Sequence, residues 1–198
     1  MSDPVTALLA AIAVASAAVV LLWPDRGVMA RWRRTRRMND RMHGEHTLKY
    51  LYESEVNAVV TSLQSVAGAT GLSVDEAAVL LQQLVDRRLI VVDREGIHLT
   101  SSGREMGLHV LRAHRLWESY LADHTGFPEP EWHGRAHDLE HGLSPAEVDA
   151  LSARLQHPIR DPHGDPIPTA EGEFSGQRGV PLTSAPLDQP LRILHMED

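Results

Sequence analysis

No cysteine occurs among the 198 residues. Disulfides and thiolate zinc sites are therefore excluded, and nitrogen and oxygen are the expected donors to any bound metal. Aromatic residues are scarce as well, with 2 Phe and 3 Tyr. Charge is missing altogether from residues 5–23, where Thr6 and Ser16 alone are polar. Histidine, by contrast, is abundant at 12. The length leaves room for one or two small domains. The formal net charge of −8 is uneven: residues 1–42 carry seven Arg against three acids, a net of +4, and residues 43–198 carry −12.

The uncharged run sets the first expectation. At about 1.5 Å per residue it spans roughly 28 Å, close to the hydrocarbon core of a bilayer. Trp23 suits the interface, and Pro24-Asp25-Arg26-Gly27 ends the helix. A cleaved signal peptide is the rival reading, but it wants a basic leader and a shorter apolar core. Residues 1–25 are thus expected to be a transmembrane anchor. The arginines that follow place residues 26–44 as a basic juxtamembrane linker on the cytoplasmic side. The chain would cross the inner membrane once, N-terminus out, with a cytoplasmic body.

Residues 45–105 have the pattern of a winged helix-turn-helix. Leu48, Leu51 and Tyr52 edge a first helix near 45–55, and 61–70 makes a second. A turn at Gly71 and a capping box from Ser73 to Glu76 open a third, running to about Arg88. Helix, tight turn and helix is the DNA-reading layout. Two short strands about a turn at 93–96 supply the wing. The residues placed to meet DNA are Ser73, Gln82, Arg87 and Arg88. Against them, Asp75 and Glu76 occupy the turns that would enter the groove, and carboxylates there are repelled by phosphate.

Residues 106–168 hold the histidines of interest. Ser102 to Glu105 resembles a capping box opening a long helix to about His124, on which His114 and Glu118 form an i, i+4 pair. On a helix near 131–141, His133, His137, Glu140 and His141 fall at roughly 0°, 40°, −20° and 80°, inside an arc of about 100°. His and Glu at that spacing are good ligands for a borderline first-row metal. A third capping box, at Ser144 to Glu147, starts a helix to about Gln156. Residues 162–168 leave as a rigid, proline-rich stretch. No nucleophile–base pattern is present, and catalysis is not expected.

Three segments together, Arg112-Ala-His-Arg-Leu-Trp-Glu118, His133-x-x-x-His137-x-x-Glu140-His141 with Leu-Ser-Pro after it, and Pro162-His-Gly-Asp-Pro-Ile-Pro168, resemble the diphtheria toxin repressor/manganese transport regulator family. The resemblance runs from about Glu45 to Pro168. It implies a mainly α protein: a winged-helix domain followed by a helical metal-binding and dimerisation domain. It also implies a homodimer activated by Mn²⁺ or Fe²⁺, with Zn²⁺ a further option, that binds an operator and represses metal-uptake genes. Carried over by position, one metal site is His114, Glu118 and His133. The other is His137, Glu140, His141 and His46 of the first helix. The iron-responsive branch has Met and Cys, and the manganese branch carboxylates, where this chain has His46 and His137. The anchor and the acidic third helix keep a second function open, a membrane-tethered metal-sensing module that acts on a metal transporter without DNA. Residues 169–198 are expected to be a flexible tail, its last strand resembling the start of the SH3-like domain found in some relatives.

Overall fold

The computed structural model describes residues 28–175, together with 8, 9, 185, 188 and 190 as isolated positions, and side chains within the first long helix only from residue 40. The apolar run expected to anchor the chain lies outside the described residues, apart from Leu8 and Leu9. Among the described residues, no helix is long and apolar enough to cross a membrane. The terminal strand near 190–198 is likewise outside them.

The elements are α1 (Val28–Val56), α2 (Leu63–Thr70), α3 (Val74–Asp86), β1 (Ile90–Val92), β2 (Ile97–Leu99), α4 (Ser101–His124), a 3₁₀ turn (Glu129–Glu131), α5 (Trp132–Glu140) and α6 (Pro145–Arg154). The chain divides into two compact units, residues 1–44 and 45–198. Helix α1 is longer than the 45–55 expected, because the segment from Val28 onward, read as linker, is helical too.

Within the second unit, α1 to β2 build the winged helix. Leu48, Leu51 and Tyr52 of α1 are buried at i, i+3 and i+4 spacing, against Ala77, Leu80, Leu81 and Leu84 of α3. Each fully buried leucine contributes about 1.5–3 kcal/mol relative to exposure. Helix α2 stops at Gly71, whose φ of 66° is the left-handed conformation that glycine adopts without strain. Ser73 and Glu76 cap α3 reciprocally. Strands β1 and β2 pair antiparallel, Ile90 opposite Leu99, and the wing turns at Asp93, whose N–H donates to Gly96 O at 3.0 Å.

The long α4 joins this part to the rest. Its cap is Thr100, whose Oγ1 accepts from Gly103 N, and not Ser102 as the sequence suggested. Thr100 wins because its hydroxyl is also fastened to the Arg88 and Leu89 carbonyls at 2.8 and 3.1 Å. The lower half of α4 packs on α5 and α6. A second core of Ala113, Leu116, Val148 and Ile167 forms there. The stretch expected to open a flexible tail begins with a closed turn: Thr169 N donates to Glu173 O at 2.8 Å, and Phe174 packs against the winged-helix core.

A candidate metal centre where α1, α4 and α5 meet

Helix α4 presents His114 and Glu118 one turn apart, and both are buried. Burying a carboxylate and an imidazole is unfavourable unless partners meet them. From α5, His133 supplies one. His114 Nε2 lies 3.1 Å from Glu118 Oε1 and 3.2 Å from His133 Nδ1, and His133 Nδ1 lies 3.0 Å from the same oxygen. Two neutral imidazoles cannot satisfy all three edges of that triangle by hydrogen bonding, since each has one donor and one acceptor nitrogen. The edges do match ligand spacing. Donors about 2.1 Å from a first-row ion sit roughly 3.0 Å apart in an octahedron and about 3.4 Å apart in a tetrahedron.

The second expected group also assembles, at the C-terminal end of α5. His137 Nδ1 is 3.1 Å and His141 Nε2 is 3.4 Å from Glu140 Oε1. His141 Nδ1 contacts Glu45 Oε2 of α1 at 2.6 Å, which leaves Nε2 buried without a hydrogen bond. A carboxylate that orients one ring nitrogen and frees the other for a metal is a recurrent arrangement around metal sites. Glu140 ties the two groups together, because its Oε2 is 2.6 Å from His114 Nδ1. That contact is short but out of line for a hydrogen bond, so His114 Nδ1 is also a buried atom without one. His46, expected as the α1 ligand, stands beside the group with its ring 5.0 Å from that of His137.

A third cluster was not foreseen. Asp161 and His163 bring ligand atoms to within 4.8 Å of each other and of Glu118. His163 Nδ1 is 3.6 Å from Glu118 Oε2, and Asp161 Oδ2 is buried with no hydrogen bond. The loop is shaped by Asp161 Oδ1, which accepts from the His163 and Asp165 amides at 3.0 and 2.9 Å. The signal available in the sequence was turn chemistry: Asp-Pro-His-Gly-Asp is an Asx turn that presents a histidine. Glu45 and Lys49 were also missed. Lys49 Nζ reaches both Glu140 oxygens, at 2.8 and 3.2 Å.

The electrostatics suit a cation. Burial favours the protonated form of Glu118, but hydrogen bonding from His114 and His133 outweighs it and holds the carboxyl well below the ordinary range. Burial opposes ionisation of Glu140 too, yet His114 and Lys49 bring it down to about 2. Burial, and then the nearby Lys49 and His137, lower His46 to about 4. His137 is lowered chiefly by burial. Both rings are thus held with free lone pairs at neutral pH, as metal ligation requires. Burial resists charge on His114, but Glu118 and Glu140 prevail and raise its pKa. Burial and then Asp165 push the Asp161 carboxyl up to about 6.

The residues expected to meet DNA are displayed differently. Ser73 Oγ is engaged with Glu76 Oε2 at 2.6 Å, and Gln82 Nε2 donates to Asp86 Oδ1 at 2.9 Å. Arg87 and Arg88 are exposed beyond the end of α3. Asp75 and Val79 are exposed on its outer face.

Residues 100–169 match the family model described as the iron dependent repressor, metal binding and dimerisation domain. The iron-dependent repressor IdeR of Mycobacterium leprae is 29% identical over 160 residues, covering 76% of this chain and 69% of the repressor. A solved manganese-dependent transcriptional repressor in complex with manganese has a TM-score of 0.61 and 31% identity, over 71% of this chain and 66% of that one. A probable metal transport system membrane protein of Chlamydia trachomatis is 43% identical over 78 residues, which are 39% of this chain but only 17% of that protein. In ligand spacing, in helical architecture and in sequence, the chain is thus similar to iron- and manganese-dependent repressors and to the diphtheria toxin repressor.

Proposed function

We propose that the chain is a metal-dependent transcriptional regulator that senses a divalent transition metal, Mn²⁺ or Fe²⁺, and represses metal-uptake genes as a homodimer. The observation that carries the reading is the convergence of Glu45, His46 and Lys49 from the winged helix on His137, Glu140 and His141 of the metal-binding part. An ion held there supplies positive charge that ties the two parts. Binding shifts their arrangement only by its differential affinity for the closed form. Within the group, Glu45 orients His141, and the neutral rings of His46 and His137 offer lone pairs. A donor set this rich in histidine binds Zn²⁺ more tightly than Mn²⁺ by intrinsic affinity, so metal availability decides the physiological choice. The N-terminal apolar run would hold the body at the cytoplasmic face of the inner membrane.

The test is fluorescence anisotropy of a duplex from the region upstream of the chain's own gene. The expected result is binding that requires Mn²⁺ and weakens steeply with salt, as phosphate contacts demand. Metal-loaded protein with no salt-sensitive binding contradicts the regulator. A second reading then takes its place: a tethered metal-sensing module that acts on a transporter. The likeness to the chlamydial membrane protein and the exposed carboxylates at the start of α3 favour it.

A further inference from the structure

Lys49 is the only lysine in the sequence; the other basic residues that make up its 19 cations are arginine. It does not lie on the surface. Its relative exposure is 6%, and that of its partner Glu140 is 0%. The Lys49 amine grips both oxygens of Glu140, the carboxylate that also faces His114, His137 and His141. An ion seated among His137, Glu140 and His141 must use a Glu140 oxygen that the lysine already holds, and it would meet a like charge one hydrogen-bond length beyond. The pair also spans α1 and α5, 91 residues apart in sequence, and so fastens the same two helices that an ion would.

We propose that Lys49 is a resident cation of the second ligand group, and that a divalent ion enters beside Glu140 only by displacing it. The inference rests on the reading of that group as a metal site. The lysine sets a threshold: below a certain ion concentration the group is closed by a tethered charge, and above it the ion takes over. A neutral side chain at 49 removes the competitor but leaves the buried Glu140 with imidazole partners alone, which is destabilising until an ion arrives.

Calorimetric titration with Zn²⁺ tests this in a Glu118→Gln/His133→Ala background, where the His114–Glu118–His133 and Glu118–Asp161–His163 groups are disabled. Adding Lys49→Met should lower the remaining Kd by about tenfold or more, a change of roughly 1.4 kcal/mol. It should also depress the metal-free Tm and enlarge the rise in Tm on Zn²⁺ addition. Lys49→Arg, which keeps the charge, should leave the Kd near that of the parent. A Kd unchanged or raised by Lys49→Met overturns the proposal. Should Lys49→Met fail to fold, the wild-type chain supplies a second measurement, because it has one side-chain amine. Acetylation at Lys49, followed by mass spectrometry of its peptide, should be several-fold faster in saturating Zn²⁺ as the amine leaves Glu140. An unchanged or slower rate overturns the proposal. Absence of Zn²⁺ binding in every variant and in the wild-type chain is a different result, and it removes the metal reading together with this one.

Discussion

Glu140 has no exposed surface, yet its partners keep it ionised, and that makes it a source of pH dependence. Its carboxyl lies near 2 in the fold against an ordinary 4.5. A depressed acid contributes stability that is present above its unfolded value and is lost as the pH falls through the folded one. Glu118 acts in the same sense. His46, lowered from 6.5 to about 4, also withdraws stability on acidification, beginning near 6.5. Asp161 is raised from 3.8 to about 6 and works in the opposite direction, favouring the fold as the pH drops through 6. The carboxylates prevail in the acid range, where Asp161 has already been protonated. Metal-free protein followed by circular dichroism in fixed urea should therefore lose stability steeply between about pH 4.5 and 2. Glu140→Gln should shallow that limb, and an unaltered limb would count against the assigned network.

Two glycines of α4 sit in close contact with neighbouring backbone. A Cβ on Gly107 would stand 2.5 Å from Leu48 O and 3.0 Å from Tyr52 Cβ, and one on Gly103 would stand 1.9 Å from Leu89 O. These glycines let α4 approach α1 and the residue leading into β1, on the same helix that carries His114 and Glu118. Alanine is the better helix former by about 1 kcal/mol, but here its methyl meets rigid backbone. Gly107→Ala should cost about 1–3 kcal/mol of stability in urea unfolding, in the range of overpacked cores, and Gly103→Ala more. A neutral or stabilising result would show that α4 can shift outward. Legibility in the sequence followed the same line between local and distant causes. Helix α3 was readable because its capping box and its Ala77, Leu80, Leu81 and Leu84 stripe are local patterns. The pair His114 and Glu118 and the run His137, Glu140 and His141 were readable because each spacing lies within one helical stretch, whereas joining His133 to the α4 pair and His46 to the α5 run came only from the family resemblance. The true cap at Thr100 was not, since carbonyls of the preceding strand entry select it. Asp161 and His163 were not, because a loop 43 residues beyond Glu118 must fold back to bring them there. Lys49 was missed because nothing in its local sequence distinguishes a buried charge from a solvated one.

Among the described residues of the second unit, three groups of candidate ligands form one connected cluster. Glu118 belongs to two of them, and Glu140 touches His114 of the first while anchoring the second. Helix α1 contributes to the cluster from the winged helix, and α5 contributes from the helices that follow the wing. The central claim is that this cluster holds divalent metal. Anomalous diffraction from crystals grown with Zn²⁺ and measured on both sides of the zinc absorption edge tests it most directly. The expected result is a peak about 2.0–2.2 Å from nitrogen and oxygen donors of His114, Glu118 and His133, and at higher Zn²⁺ a second one beside Glu140 with Lys49 turned away. Peaks confined to surface histidines, with the cluster unchanged, would contradict it.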